Sequence, residues 1–552
     1  MRKSARDNGV FVKAYAGATG VLLAMNVDDN KRQGLLGFAI ERRNHQDGKK
    51  TWLGGKLNFP GEFQKAGLLI DTNKAPIQKF RWLDYNVEPE GEYTYRLHAV
   101  YGKPEALDVQ PGPAVKVKAA STSGGEHRVL FNRAAAASQA FSKKFAKIEE
   151  DLQAPRRARS LFHPPNEMLN WLSRGVLEQI LDFIERAKDE RWALDIAIYE
   201  YELPEIYKTV EMMHARGAKI RLLYHAKPRD EQTKVNEECL AGLPKSVKRP
   251  RVTSKICHHK FIVLSKISRG ERQPLAVLTG STNFTENGVY RQANVVHVVE
   301  REDIAQQYFD LFEQLWSHPD DVGAARKYIS ANNALSPSSR LLAGFSPRSG
   351  GADLAAFIDM IKAAKRDVLF CTTFDLYDDI EQALLGVPHD AILRYGLQNT
   401  RSKITGYHAD QTAKFVATAM LSTKHSGLEG WLKESTHGQK GNILIHTKII
   451  ITDFTSNSPT VVSGSHNLSQ AASQGNDENF LVVRGNTEVA DCYGCELMRL
   501  YDHYRFRFHV AERLGKRGPW FTLQPDDSWT NAYFGKNPLK TADRLRFAGE
   551  DV

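Results

Sequence analysis

One pattern constrains the fold more than any other. The chain runs twice through the same helix–strand alternation, and each pass carries the same pair of short motifs. In the first, Ile256-Cys257-His258-His259-Lys260-Phe261-Ile262-Val263-Leu264 precedes Thr279-Gly280-Ser281-Thr282-Asn283-Phe284-Thr285. In the second, Ile445-His446-Thr447-Lys448-Ile449-Ile450-Ile451-Thr452-Asp453 precedes Ser463-Gly464-Ser465-His466-Asn467-Leu468-Ser469. From His to Ser the separation is 23 residues in one copy and 19 in the other. A lone HxK says little. Two copies, each on an apolar strand and each followed by a Gly-Ser-x-Asn turn, make a chance match untenable.

The flanking sequence predicts an α/β unit in each pass. Val176 to Lys188 has helical spacing, Ala193 to Tyr199 and Ile220 to Tyr224 read as buried strands, and Pro204 to Arg216 is a helix stopped by Gly217. Leu354 to Ala364 is again a helix, Asp367 to Thr373 a strand, and Asp375 to Ile380 leads into a further helix. Residues 319–352 hold Ser336, Pro337, Pro347, Gly350 and Gly351 and read as the joint. The halves are thus assigned to residues 166–330 and 331–510, with 511–552 as a C-terminal closing segment.

Residues 1–118 read as all-β, with short strands at Val10 to Tyr15, Gly37 to Arg42 and Tyr93 to Tyr101 between turn clusters. The turn before Tyr93-Thr94-Tyr95 resembles the tyrosine corner of immunoglobulin-like and fibronectin type III sandwiches. That resemblance implies a spacing or protein-partner module. Residues 119–165 are a connector, alanine-rich from Arg133 and then basic at Lys143, Lys144, Lys147, Arg156, Arg157 and Arg159.

Alternation along an extended chain puts His258 and Lys260 on one face, and His446 and Lys448 on one face. The pair of motifs resembles the phospholipase D superfamily, with its HxKxxxxD signature, over roughly residues 166–510. The resemblance implies two halves on a pseudo-twofold axis, both motifs lining one cleft, and chemistry at a phosphodiester without a metal or other cofactor. In that chemistry one histidine attacks phosphorus and becomes a phosphohistidine. The other protonates the leaving oxygen and then activates water. Lys260, Lys448, Asn283 and Asn467 would hold the non-bridging oxygens. Ser281 and Ser465 would contact phosphate or support the turn. The signature aspartate is Asp453 in the second half, whereas Ser265 stands there in the first. The family's histidine-orienting glutamate is matched by Glu478, whereas Gln292-Ala293-Asn294 puts Ala293 at that place. On this reading His446 is fully supported, His258 lacks both carboxylates, and the roles of nucleophile and acid stay open.

Composition bears on the substrate. Among 552 residues, Lys plus Arg number 75 and Asp plus Glu 65, a net charge of +10 that favours a polyanionic partner. Lys245, Lys248, Arg249, Arg251 and Lys255 precede the first motif as a phosphate-tracking rim or a solvated loop. Trp520, Phe521, Trp529, Tyr533 and Phe534, with Arg517, Lys536 and Arg544, read as a packed closing segment or a base-stacking surface. Nucleic acid is the expected substrate, with DNA and RNA undistinguished. A membrane phospholipid is the alternative, for which Phe415 to Leu421 is a candidate interfacial loop against a buried reading. A non-catalytic nucleic-acid-binding member is the third reading. No run of about 18 apolar residues predicts a membrane span. The N-terminus shows no export signal, and five sparse cysteines suit a reducing compartment, so a cytoplasmic location is expected. Cys492 and Cys495 form a CxxC without a second ligand pair and read as core residues.

Overall fold

The computed structural model describes residues 1–61, 69–133, 144–145, 166–252, 255–374, 376–386, 392–398, 406–407, 445–513, 522–535 and 537–550. The candidate loop Phe415 to Leu421, most of the basic connector, Arg517, Trp520, Phe521 and Lys536 lie outside the described residues.

The N-terminal region is built from β1 (Arg2–Asp7), β2 (Val10–Ala16), β3 (Val21–Val27), β4 (Gly37–Asn44), β5 (Lys50–Trp52), the short pair β6 (Gly54–Gly55) and β7 (Ile70–Asp71), β8 (Arg81–Asp84), β9 (Glu92–Lys103) and β10 (Ala106–Lys118). Two four-stranded antiparallel sheets form, ordered β1-β2-β3-β8 and β10-β9-β4-β5. Alternate residues such as Val10, Val12 and Ala14 of β2 and Tyr93, Tyr95 and Leu97 of β9 share one core between the sheets. Tyr93 Oη accepts the Glu88 backbone N–H at 3.0 Å, and Tyr95 Oη donates to Asp84 at 2.9 Å.

The remainder contains two seven-stranded sheets. The first comprises β11 (His127–Phe131), β12 (Trp192–Ile198), β13 (Lys219–His225), β14 (Lys248–Arg251), β15 (Lys260–Ser268), β16 (Glu271–Gly280) and β17 (Val295–Val299). The second comprises β18 (Leu341–Ser346), β19 (Asp367–Thr372), β20 (Leu393–Gln398), β21 (Gly406–Tyr407), β22 (Ile449–Thr452), β23 (Thr460–Gly464) and β24 (Glu478–Arg484). Their orders, β11-β17-β16-β15-β12-β13-β14 and β18-β24-β23-β22-β19-β20-β21, match position for position. The edge pairs differ, since β13–β14 is parallel and β20–β21 antiparallel.

The match moves a boundary. His127–Phe131 falls in the expected connector, yet it pairs with β17 as the counterpart of β18. The first sheet therefore draws a strand from well before residue 166. The strands also begin later than expected. β15 starts at Lys260 and β22 at Ile449, so both histidines lie in the extended run just before the strand.

Helix Glu302–Ser317 covers one face of the first sheet with Ile304, Tyr308, Leu311, Phe312 and Leu315, and Ala343, Phe345 and Leu481 of the second sheet pack on the same cluster. Helix Thr487–Arg513 has a matching place after β24. It buries Tyr493, Leu497, Met498 and Tyr501 among residues of both sheets and of the N-terminal region. Cys492 and Cys495 lie on its buried face, and the Cys495 thiol donates to the Tyr15 carbonyl at 3.3 Å. The C-terminal aromatics close the N-terminal region: Trp529 stacks on Phe80 with centroids 5.2 Å apart, and Arg544 lies 3.8 Å over the Phe534 ring. The described part of that segment is therefore packed, which rules its aromatics out as a stacking surface. Among the described residues no helix is long and apolar enough to cross a membrane.

Candidate active site

The Gly-Ser-x-Asn turns set the geometry. A Cβ on Gly280 would fall 2.1 Å from the Val295 carbonyl oxygen, and one on Gly464 2.3 Å from that of Asn479, so only glycine lets the two strands close here. The serine that follows is locked to the neighbouring strand. Ser281 N–H donates to Val295 O at 3.0 Å, and Ser465 N–H to Asn479 O at 2.8 Å. Both hydroxyls are fully buried and point sideways, Ser281 Oγ donating to Asn294 Oδ1 at 2.8 Å and Ser465 Oγ to Glu478 Oε2 at 2.5 Å. Of the two roles expected for these serines, the structure shows turn support.

The residues those serines brace hold the histidines, and they do so crosswise. His258 of the first half has Nδ1 2.8 Å from Glu478 Oε2 of the second. His446 of the second half has Nδ1 3.0 Å from Asn294 Oδ1 of the first and 3.2 Å from Ser281 O. The backbones cross as well: His258 N–H donates to Asp477 O, and His446 N–H to Ala293 O, both at 2.9 Å. Each HxK is therefore docked on the opposite half, and the four groups His258, Lys260, His446 and Lys448 act on one another electrostatically in one buried pocket.

This corrects the sequence alignment by one residue. Gly280 pairs with Val296, and Gly464 with Phe480. Asn294, not Ala293, is therefore the counterpart of Glu478, and Ala293 that of Asp477. It also reverses which histidine is supported by a carboxylate: Glu478 serves His258. Glu478 further accepts from Asn476 Nδ2 at 3.1 Å, and burial raises its pKa against the pull of His466 and Lys260. Asn294 is fixed by Asn132, whose Oδ1 accepts the Asn294 N–H at 2.9 Å.

Asp453 is not in the pocket. It sits in a left-handed turn at φ 55°, and its Oδ1 accepts the backbone N–H groups of Lys365 and Arg366 at 2.8 and 2.7 Å. It ties the end of β22 to the start of β19. In the first half β15 runs on to Ser268 with a register shift between Leu264 and Ser265, so no turn needs closing at that point. Ser265 in place of aspartate therefore removes nothing from the chemistry.

The pocket disfavours positive charge. Burial, then Lys260 and Lys448, push His258 well below the ordinary histidine value, and burial with the same two lysines does so for His446. Burial lowers Lys260 to about 8 against the pull of Glu478 and Glu200, and burial with Lys260 lowers Lys448 well below its usual value. Each ammonium donates to its own histidine's carbonyl, Lys260 to His258 O at 3.0 Å and Lys448 to His446 O at 2.6 Å. Asn283 and Asn467 each carry a buried Oδ1 with no hydrogen-bond partner among the described residues. Tyr199 lines the pocket with its ring centroid 5.6 Å from that of His258. No sequence signal singled out Tyr199, whereas the asparagine of Gln292-Ala293-Asn294 was in view but misregistered.

The expected basic rim largely dissolves. Arg251 is fully buried, and its Nε and Nη2 reach Asp477 at 2.9 and 3.1 Å, an ion pair that joins the halves. Lys248 donates to Leu240 O, while Arg249 donates to Trp316 O and lies 4.3 Å over the Trp316 ring. Only Lys245 and Lys255 of the five are exposed. Among the described residues no group of three or more His, Cys, Asp or Glu side chains could hold a metal ion.

Comparison with known proteins places this architecture. Residues 180–316 match the family described as "Cardiolipin synthase, PLD-like domain". A mitochondrial cardiolipin hydrolase of Canis lupus familiaris is 25% identical over 179 residues, covering 32% of this chain and 64% of that protein. The chain spans between 46% and 64% of the length of the curated relatives it matches. Among solved structures, Nuc from Salmonella typhimurium, a phospholipase D family member, aligns at TM-score 0.20 and 20% identity, covering 25% of this chain and 84% of that one. Phosphatidylserine synthase of Haemophilus influenzae Rd KW20 aligns at TM-score 0.42 and 12% identity, covering 68% of this chain and 93% of that one.

Proposed function

We propose that the protein is a metal-independent phosphodiesterase of the phospholipase D type, that residues 127–513 form its two related halves, and that nucleic acid is its substrate. The crosswise pairing of His258 with Glu478 and of His446 with Asn294 carries this reading, because it aims two neutral imidazoles and two lysines into one pocket.

The pairing also separates the two roles. A carboxylate can only accept, so His258 Nδ1 carries the proton and Nε2 is left with a lone pair. Glu478 stabilises the charge that His258 gains when it bonds to phosphorus, as a buried carboxylate does for a catalytic imidazole. His258 is the nucleophile. His446 has neutral acceptors only, Asn294 Oδ1 and Ser281 O, so its protonated form is the weaker base and gives its proton up more readily. It protonates the leaving oxygen, and the neutral imidazole then takes a proton from the water that attacks the phosphohistidine. The bond to the leaving group breaks in the first step and the P–N bond in the second. Lys260 and Lys448, with the amides of Asn283 and Asn467, balance the oxygens' negative charge, the work a metal ion does elsewhere.

For nucleic acid the support is the net charge of +10 and the exposed Lys245 and Lys255. A second reading, phospholipid as the diester, draws on the cardiolipin-acting relatives. The N-terminal region is read as a fibronectin type III-like partner module, supported by its strand order and by the Tyr93–Glu88 contact. The test is turnover of DNA, RNA and cardiolipin vesicles in millimolar EDTA. Nucleic-acid cleavage alone supports the first reading, vesicle hydrolysis alone the second, and strict dependence on a divalent ion rejects both.

A further inference from the structure

The pocket contains one carboxylate that the reaction above does not use. Glu200 follows β12, and its backbone is stitched to the first Gly-Ser-x-Asn turn. Phe284 N–H donates to Glu200 O at 3.1 Å, and the Glu202 and Leu203 N–H groups both donate to Phe284 O at 2.8 Å. The Glu200 side chain accepts from Asn283 Nδ2. It acts electrostatically on both Lys260 and Lys448, which act on it in return. The strand register makes Phe374 its counterpart in the second half, so only one half carries this charge.

The charge balance gives the residue a purpose. With His258 and His446 neutral, Lys260 and Lys448 face Glu478 alone, which leaves the pocket one positive charge in excess. Glu200 cancels it. A phosphodiester is a monoanion, whereas the phosphomonoester that hydrolysis releases is a dianion near neutral pH. A pocket without Glu200 would attract the product more strongly than the substrate. We infer that Glu200 is a specificity-determining residue, a built-in negative charge that makes the pocket prefer monoanionic diesters and expel dianionic monoesters. This rests on the phosphodiesterase reading of the site.

The groups facing Glu200 are Glu202, Lys260, Lys448 and Asn283, with His258, His446 and Glu478 beyond them in the pocket. Burial, then Glu202, push the carboxyl up to about 7. A bound dianion can therefore be accommodated by protonating Glu200. That limits the discrimination to roughly the cost of the proton, about fourfold at pH 7.5 and about thirtyfold at pH 8.5.

Sulfate and methyl sulfate test this without turnover, since both are tetrahedral oxyanions of fixed charge, −2 and −1, over this range. Affinities of the full chain are measured by calorimetry for wild type, Glu200→Gln and Glu200→Ala, with Lys260→Ala identifying the site. The sulfate-to-methyl-sulfate affinity ratio, variant over wild type, is expected to rise about fourfold at pH 7.5 and about thirtyfold at pH 8.5 in both Glu200 variants. Lys260 titrates in all of them except its own variant, so its effect cancels in the quotient. A ratio unchanged in both overturns the inference. A change in Glu200→Ala alone also overturns it, because glutamine keeps the acceptor for Asn283 and only the charge differs. Absence of anion binding in wild type, or binding that survives Lys260→Ala, rejects it as well. The expected ratios in a protein that cleaves no diester would leave the inference standing and reject the proposed activity instead.

Discussion

Glu478 lies 2.8 Å from the imidazole of His258 across 220 residues of chain and across the boundary between the two sheets. Its counterpart Asn294 holds His446 at 3.0 Å in the opposite direction. Each half therefore supplies the partner of the other half's histidine, and neither half is complete alone.

The two partners differ in charge, so their loss differs in effect. Glu478→Gln leaves His258 hydrogen-bonded but uncompensated as it becomes cationic, and kcat is expected to fall by about 10²–10⁴. Asn294→Ala removes a neutral contact from His446, and a loss of roughly tenfold is expected. Steady-state kinetics on one diester substrate checks both, and equal losses would contradict the assigned roles.

The pH profile follows from Lys260. Its folded value of about 8 lies below the ordinary lysine value, so its positive charge is complete at pH 7 and is lost as pH rises through 8. kcat/KM is expected to fall above pH 8. His258 is held well below the usual histidine value, so it stays unprotonated and nucleophilic below pH 6.5, and activity should persist there. A profile that collapses on the acid side near 6.5 and stays flat to pH 9.5 would contradict this.

The Arg251–Asp477 pair concerns stability rather than substrate. Both side chains are fully buried, and each belongs to a different half. Asp477→Asn leaves a buried guanidinium without its counter-charge and is expected to cost about 3–5 kcal/mol in denaturant unfolding. A loss under about 1 kcal/mol would mean that the pair is wet or replaceable.

If nucleic acid binds beside the pocket, the exposed Lys245 and Lys255 are the residues of the basic stretch free to meet phosphate. Replacing both by alanine is expected to lower the slope of log affinity against log salt by up to about 2, with little change in unfolding. An unchanged slope in a binding assay would place the nucleic acid elsewhere.

Much of this was legible in the sequence, and the failures have physical causes. The duplicated motif located His258, Lys260, Asn283, His446, Lys448 and Asn467 without any structure, because chemistry repeats residue types. The glycine could be anticipated because no other residue fits where Gly280 meets Val295 O. Which histidine Glu478 serves could not be read, since strand crossing between halves leaves no mark in linear spacing. Taking Ala293 as its counterpart instead of Asn294 is a one-residue slip that only a hydrogen-bonded register resolves. β11 was hidden for a related reason: an edge strand joined from a distant segment looks like linker. The basic stretch misled because charge on paper does not show burial, and Arg251 is there to answer Asp477.

The central claim is that His258 attacks phosphorus while His446 handles protons. Acid-stable mapping does not suit a phosphoramidate, so the protein is quenched in alkali after reaction with a phosphorus-labelled diester in EDTA, digested, and mapped by mass spectrometry. His446→Ala should slow breakdown of the intermediate and let label accumulate on the peptide holding His258, while His258→Ala carries none. Label on the His446 peptide in the His258→Ala protein, or turnover that requires a divalent ion and leaves no labelled histidine, would contradict the account.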